Sequence, residues 1–160
     1  MKRILLLLAA LTLSAAASGP LMAQESPFVG TWKLNTDKST FTGVPMPKSL
    51  DRKVEADGDG AKYTYKGTNG EGKPIDYTFS TKLDGKPSPI NGTGAPGGAD
   101  SITINRVNAS KTTGVFSKGG KEIGKSTAEV SKDGKVTTVT GTGTTAAGKE
   151  YNTTSVYDKQ

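Results

Sequence analysis

The chain has no cysteine and no histidine among its 160 residues, and it has a single tryptophan. Without imidazole it lacks the commonest general base and the commonest metal ligand, so Ser-His-Asp catalysis and haem held by a proximal histidine are both excluded. Without thiols it has neither a cysteine nucleophile nor disulfides, and stability has to come from sheet hydrogen bonds and burial. Arginine is scarce beside lysine: Arg3, Arg52 and Arg106 are the only three. The lysines are spread along the chain, many beside turn glycines, and are not clustered or interleaved with aromatics as a nucleic-acid surface requires. They read as solubilising and edge-protecting residues.

Long apolar runs are also missing, with one exception. Lys2 and Arg3 precede the apolar stretch Ile4 to Ala17, and Leu21-Met22-Ala23 gives a small-residue end before Gln24. This pattern predicts a signal peptide over residues 1–23, with the mature chain at 24–160. The run is shorter than the ~20 residues that span a bilayer, and Ser18-Gly19-Pro20 interrupts it. No cysteine stands near Ala23 to carry a lipid. The expected product is secreted or periplasmic, with no membrane span and one domain of moderate size. Removing Lys2 and Arg3 lowers the formal charge from +6 to +4.

Glycine, by contrast, is abundant and regularly placed. Turn signals recur at Asp57-Gly58-Asp59-Gly60, Asn69-Gly70-Glu71-Gly72, Asp84-Gly85, Gly119-Gly120, Asp133-Gly134 and Ala147-Gly148. Glycine supplies the positive φ of tight hairpins, and Asp or Asn tolerates the same region. Between the turns, β-branched and aromatic residues alternate with polar ones, as in Ile75-Asp76-Tyr77-Thr78-Phe79. Nine strands are expected, from Phe28–Leu34 through Lys149–Asp158, with little or no helix. Nine sequential antiparallel strands leave two exposed edges unless the sheet closes. The expected fold is therefore all-β, a single antiparallel up-and-down barrel, with a two-sheet sandwich as the alternative. Two Pro-bearing stretches, Asn35–Lys48 and Lys86–Ala99, are expected to be irregular connections.

Phe28-Val29-Gly30-Thr31-Trp32-Lys33-Leu34 resembles the opening strand of fatty-acid-binding proteins and the Gly-x-Trp signature of lipocalins, both calycins. Thr153 to Lys159 resembles the last strand of the fatty-acid-binding proteins. Gly30 to Asn35, Lys38-Ser39-x-Phe41, Asp133-Gly134-Lys135 and Val156 to Lys159 together resemble secreted bacterial lipocalin-like proteins. The resemblance implies a barrel plugged at one end by Trp32. It also exposes two departures. Ser155 stands where the fatty-acid-binding proteins carry the arginine of an Arg-x-Tyr carboxylate clamp, and Asn35–Lys48 is too short for a helical lid.

The carboxylates Glu55, Asp57 and Asp59 fall in turns or on solvent faces, unsuited to paired acid-base work in a dry cleft. Asp57 to Gly60 lacks the further oxygen ligands of a calcium loop. Gly92 to Gly98 lacks the strand-to-helix context of a phosphate loop. No catalytic residue, metal or cofactor is assigned, and the chain is not expected to be an enzyme. The candidate ligand-binding residues are Trp32, Arg52, Tyr63, Tyr65, Tyr77, Phe79, Tyr151 and Tyr157. Arg52 is in phase with Leu50 and Val54, and two roles compete for it: stacking on Trp32 at the barrel floor, which is favoured, or pairing with an anionic ligand group. The expected function is binding of a small apolar or amphipathic molecule. The alternative is an inhibitor-like interaction barrel with a filled interior, acting through its loops.

Overall fold

The structure, a computed structural model, describes residues 26–160. The expected signal peptide lies outside the described residues. Twelve strands run in chain order: β1 (Gly30–Leu34), β2 (Thr40–Thr42), β3 (Ser49–Asp57), β4 (Gly60–Thr68), β5 (Pro74–Thr81), β6 (Asp84–Pro89), β7 (Asn91–Thr93), β8 (Ser101–Asn108), β9 (Lys111–Lys118), β10 (Lys121–Val130), β11 (Val136–Thr144) and β12 (Glu150–Lys159). The only helical pieces among the described residues are two three-residue 3-10 turns, at Thr36–Lys38 and Pro96–Gly98.

Two-residue turns set the register of three hairpins: Asp57 pairs with Gly60, Asn108 with Lys111, and Lys118 with Lys121. With register fixed, the two-residue period sends alternate side chains inward. Leu50, Arg52 and Val54 of β3, Ala61 and Tyr63 of β4, Ile75, Tyr77 and Phe79 of β5, and Ile102 and Ile104 of β8 are all buried. All but Arg52 form one continuous hydrophobic core with Phe28, Trp32, Ala128, Val130 and Tyr157.

All pairings are antiparallel, in the order β6-β8-β9-β10-β11-β12-β1-β3-β4-β5-β7, with β2 added to β12 beyond the end of β1. The two ends of this path, β6 and β7, are separated in sequence by Ile90 alone. One kinked segment therefore pairs with β8 through its first part and with β5 through its second, and so closes the barrel. Gly92 makes the second contact: at φ 111° a Cβ there would clash with the Asp76 carbonyl oxygen. The Ile90 amide is satisfied by the Asp100 carbonyl at 2.8 Å.

The count of nine strands is thus corrected to twelve, and the additional three come from the two stretches expected to be irregular. Pro87 and Pro89 suggested a loop because proline lacks a donor, but proline is tolerated on a strand that borders a gap or a bulge, and β6 has a register shift between Asp84 and Pro87. Leu83 lies beyond β5 in a left-handed conformation at φ 59°, where the chain changes partner, and its side chain remains in the core.

Trp32 closes one end. Its side chain is fully buried, Nε1–H donates to the Phe28 carbonyl at 2.9 Å, and the Lys159 ammonium lies 5.1 Å from its ring centroid. Gly30 leaves room for that lysine, since a Cβ would stand 2.8 Å from Lys159 Cε. The favoured Arg52–Trp32 stack is not formed. Trp32 is paired with Arg52 on one side and Lys159 on the other, and it is the lysine that covers the indole, while the guanidinium turns to Tyr63 and Tyr65. Trp32→Ala should cost about 3 to 5 kcal/mol, the usual penalty for emptying a buried aromatic site. Urea unfolding measures it, and a neutral result would contradict the plug.

Candidate functional site

Inside the barrel is a cavity of about 320 Å³. Its far wall is mostly aliphatic or small, with Ile102, Ile104, Gly114, Ala128 and Val139, to which Phe116, Thr112 and Ser126 are added. Its near wall is aromatic. Tyr63 on β4 stacks on Phe79 of β5 with centroids 4.8 Å apart, and the next cross-strand pair, Tyr65 and Tyr77, stacks at 4.7 Å. Each such pair contributes about 0.5 to 1.5 kcal/mol beyond its buried area. Because the ring faces are turned on one another along the sheet, edges and hydroxyls are what remain for the interior. The mouth is bordered by Phe41, Val44, Pro45 and Pro47 before β3, by Asn69 to Glu71 between β4 and β5, and by Pro96 and Gly97 before β8.

Arg52 enters this cavity from β3. It is only 2% exposed, its Nε–H donates to the Tyr65 hydroxyl at 3.0 Å, and its guanidinium carbon lies 5.3 Å from the Tyr63 centroid and 5.8 Å from that of Phe28. Its Nη1 is buried without a hydrogen-bond partner. The ion pairs among the described residues are all formed by lysines at the surface, and Arg52 has no carboxylate partner. Burial alone disfavours its charge, but the oxygens of Tyr65, Tyr63 and Tyr157 outweigh burial and hold its pKa above the ordinary value.

Seven of the eight candidate residues line the cavity: Arg52, Tyr63, Tyr65, Tyr77, Phe79, Tyr151 and Tyr157. Trp32 is not among the lining residues, and its role is at the closed end. The reading from sequence missed Ile102, Ile104 and Ala128, although strand alternation marks them, and it missed Val44, Pro45 and Pro47, for which a connection without periodicity gives no signal.

No family model and no curated protein matches the chain. Among solved structures it is similar to zebrafish ileal bile acid-binding protein complexed with cholic acid, with 18% identity, a TM-score of 0.50, 84% of this chain covered and 100% of that chain. The likeness is one of fold. In this barrel Ser155 is buried on β12 two residues before Tyr157, and the cavity's buried arginine comes from β3 instead. No helical lid intervenes between β1 and β3; the connection holds a 3-10 turn and the short strand β2.

Burial raises the phenol pKa of Tyr63, Tyr151 and Tyr157, and that of Tyr77 further still. These hydroxyls are neutral hydrogen-bonding groups across the physiological range. A folded-state pKa above the unfolded one contributes stability that is complete below the unfolded value, about 10 for tyrosine, and that is lost as pH rises through the folded value. The urea midpoint should therefore stay level through neutral pH and fall above about pH 10. The phenolate absorbance of these four tyrosines should appear together with loss of near-ultraviolet circular dichroism; their ionisation in the intact fold would contradict the burial.

Proposed function

We propose that this chain is an exported binding protein that holds a small apolar or amphipathic molecule inside its barrel. The observation that carries the reading is the cavity of about 320 Å³, walled by stacked aromatics on one side and aliphatic residues on the other. Ligand pockets start at roughly 300 Å³, and their walls are mostly apolar with a few placed polar groups, as here. The structural neighbour's complex with cholic acid supports it, because a barrel of the same fold there accompanies a small molecule. Export rests on the leader pattern of residues 1–23. An interaction barrel with a filled interior leaves this volume unexplained.

Native mass spectrometry of the protein purified from its own host should show a co-purifying small molecule. Binding of the neutral apolar probe phenylnaphthylamine should be lost, by tenfold or more, in Ala128→Phe, which places a ring in the cavity from β10. Undiminished probe binding by a folded Ala128→Phe variant would move the ligand out of the barrel and overturn the reading.

A further inference from the structure

Glycine weakens the interior of a strand, and it is kept there for a bulge, a tight bend or the close approach of another group. Gly114 of β9 and Gly141 of β11 stand inside their strands and line the cavity. Neither has a positive φ, and the pairing keeps its register at both. A Cβ on Gly114 would meet the Ser126 hydroxyl oxygen at 2.7 Å, and one on Gly141 the Thr153 hydroxyl oxygen at 2.9 Å. Both hydroxyls can rotate aside, and the nearest backbone oxygen is 3.8 Å away in each case. Gly67 and Gly92 differ, because a Cβ there would run into a backbone carbonyl oxygen. Backbone conformation and packing thus leave Gly114 and Gly141 unexplained, and close approach of another molecule remains.

The two glycines belong to one row. Gly114 pairs with Ser126, Ser126 with Gly141 and Gly141 with Thr153, and all four line the cavity. The row is a shelf of bare backbone and short hydroxyl side chains across β9 to β12. Half-way round the ring, β4 and β5 carry the stacked pairs Tyr63–Phe79 and Tyr65–Tyr77, whose edges face the interior. Ring edges hold the positive part of the quadrupole and attract the face of another ring. A flat ring lying on the shelf turns its free face to those edges. Arg52 supplies an independent observation. It is 2% exposed, lines the same cavity, and has Nη1 without a partner. Burial disfavours its charge, but the oxygens of Tyr65, Tyr63 and Tyr157 outweigh burial, so what the guanidinium lacks is an acceptor.

We propose that the cavity takes an uncharged, flat, fused-ring aromatic ketone, with its ring face on the shelf of Gly114, Ser126, Gly141 and Thr153 and its carbonyl oxygen accepting from Arg52. This rests on the interior-binding reading above and adds the shape of the ligand. Gly114 and Gly141 are the residues that set that shape. A methyl group at either position lifts a rigid ring off the shelf, whereas a flexible chain bends past it.

The test reads displacement of phenylnaphthylamine by fluorenone, dihexyl ketone and fluorene on the purified protein at neutral pH. Fluorenone and dihexyl ketone share a carbonyl and their number of carbons and differ in shape; fluorene keeps the rings and lacks the oxygen. Fluorenone should bind at least tenfold more tightly than dihexyl ketone and at least fivefold more tightly than fluorene. In the double variant Gly114→Ala, Gly141→Ala the preference for fluorenone over dihexyl ketone should fall at least tenfold, while the urea midpoint stays level or rises. A lowered midpoint means that the fold itself demands glycine there, and it overturns the shelf. Arg52→Met should remove the difference between fluorenone and fluorene. Should that variant fail to fold, the comparison of the three ligands in the unmodified protein decides alone. Equal affinity for fluorenone and dihexyl ketone overturns the flat shape, equal affinity for fluorenone and fluorene overturns the carbonyl, and either leaves interior binding standing. Failure of all three ligands and of the probe overturns both readings.

Discussion

Closure of the sheet is the constraint on which the other features depend. An open antiparallel sheet of this length would expose a row of unpaired donors and acceptors on each edge. Here both edges are met by one segment, Asp84 to Thr93, which hydrogen-bonds to β8 and then to β5 on either side of Ile90. That manoeuvre requires a left-handed residue at Leu83 and the close approach at Gly92. Once the ring is complete, every inward side chain faces the same interior, and residues far apart in sequence, such as Arg52, Ile104 and Tyr157, become neighbours around one cavity.

The two ends of the barrel then differ in kind. At one end Phe28, Trp32 and Lys159 make a layered plug in which the indole is hydrogen-bonded through Nε1 and covered by an ammonium. The other end is bordered mostly by connections, with Phe41 of the short strand β2 beside them, and Pro45, Pro47 and Pro96 there stand outside the strands. Access and stability are thereby separated: the residues that fix the fold are remote from those that border the mouth. The interior combines hydrocarbon, phenols, the hydroxyls of Thr112 and Ser155 and a single buried guanidinium, while carboxylates such as Asp100 and Asp158 remain on the outside, held below their ordinary pKa by the Gly119 amide and by Asn35.

Much of this was legible in the chain. Alternation in Ile75-Asp76-Tyr77-Thr78-Phe79 marks an inner face, and most of the glycine turns mark hairpins, because both depend only on local backbone geometry; Asp84-Gly85 instead falls inside β6, and the Asn108–Lys111 hairpin has no glycine. The candidate tyrosines could be placed for the same reason. Arg52 could be assigned an inward direction by its phase with Leu50 and Val54, but not a partner, since partner choice depends on which neighbouring strand offers an acceptor. Tyr65 offers one; the indole was already occupied by Lys159. The closing segment was hidden for a related reason: its prolines and glycines carry no periodic signal, and its strand character exists only because two unsatisfied edges flank it.

By itself, then, the sequence determined the class of fold, the positions of most hairpin turns, the inward set on the regular strands and the exclusion of imidazole and thiol chemistry. These follow from the two-residue period of a strand, from the φ preferences of glycine and from the side chains present. Only the tertiary structure decided how the ring closes, that Trp32 plugs the end without lining the cavity, and that Arg52 is left in the interior without a carboxylate. Each of those depends on contacts between strands distant along the chain, where hydrogen-bond satisfaction and the compensation of charge are settled by position in space.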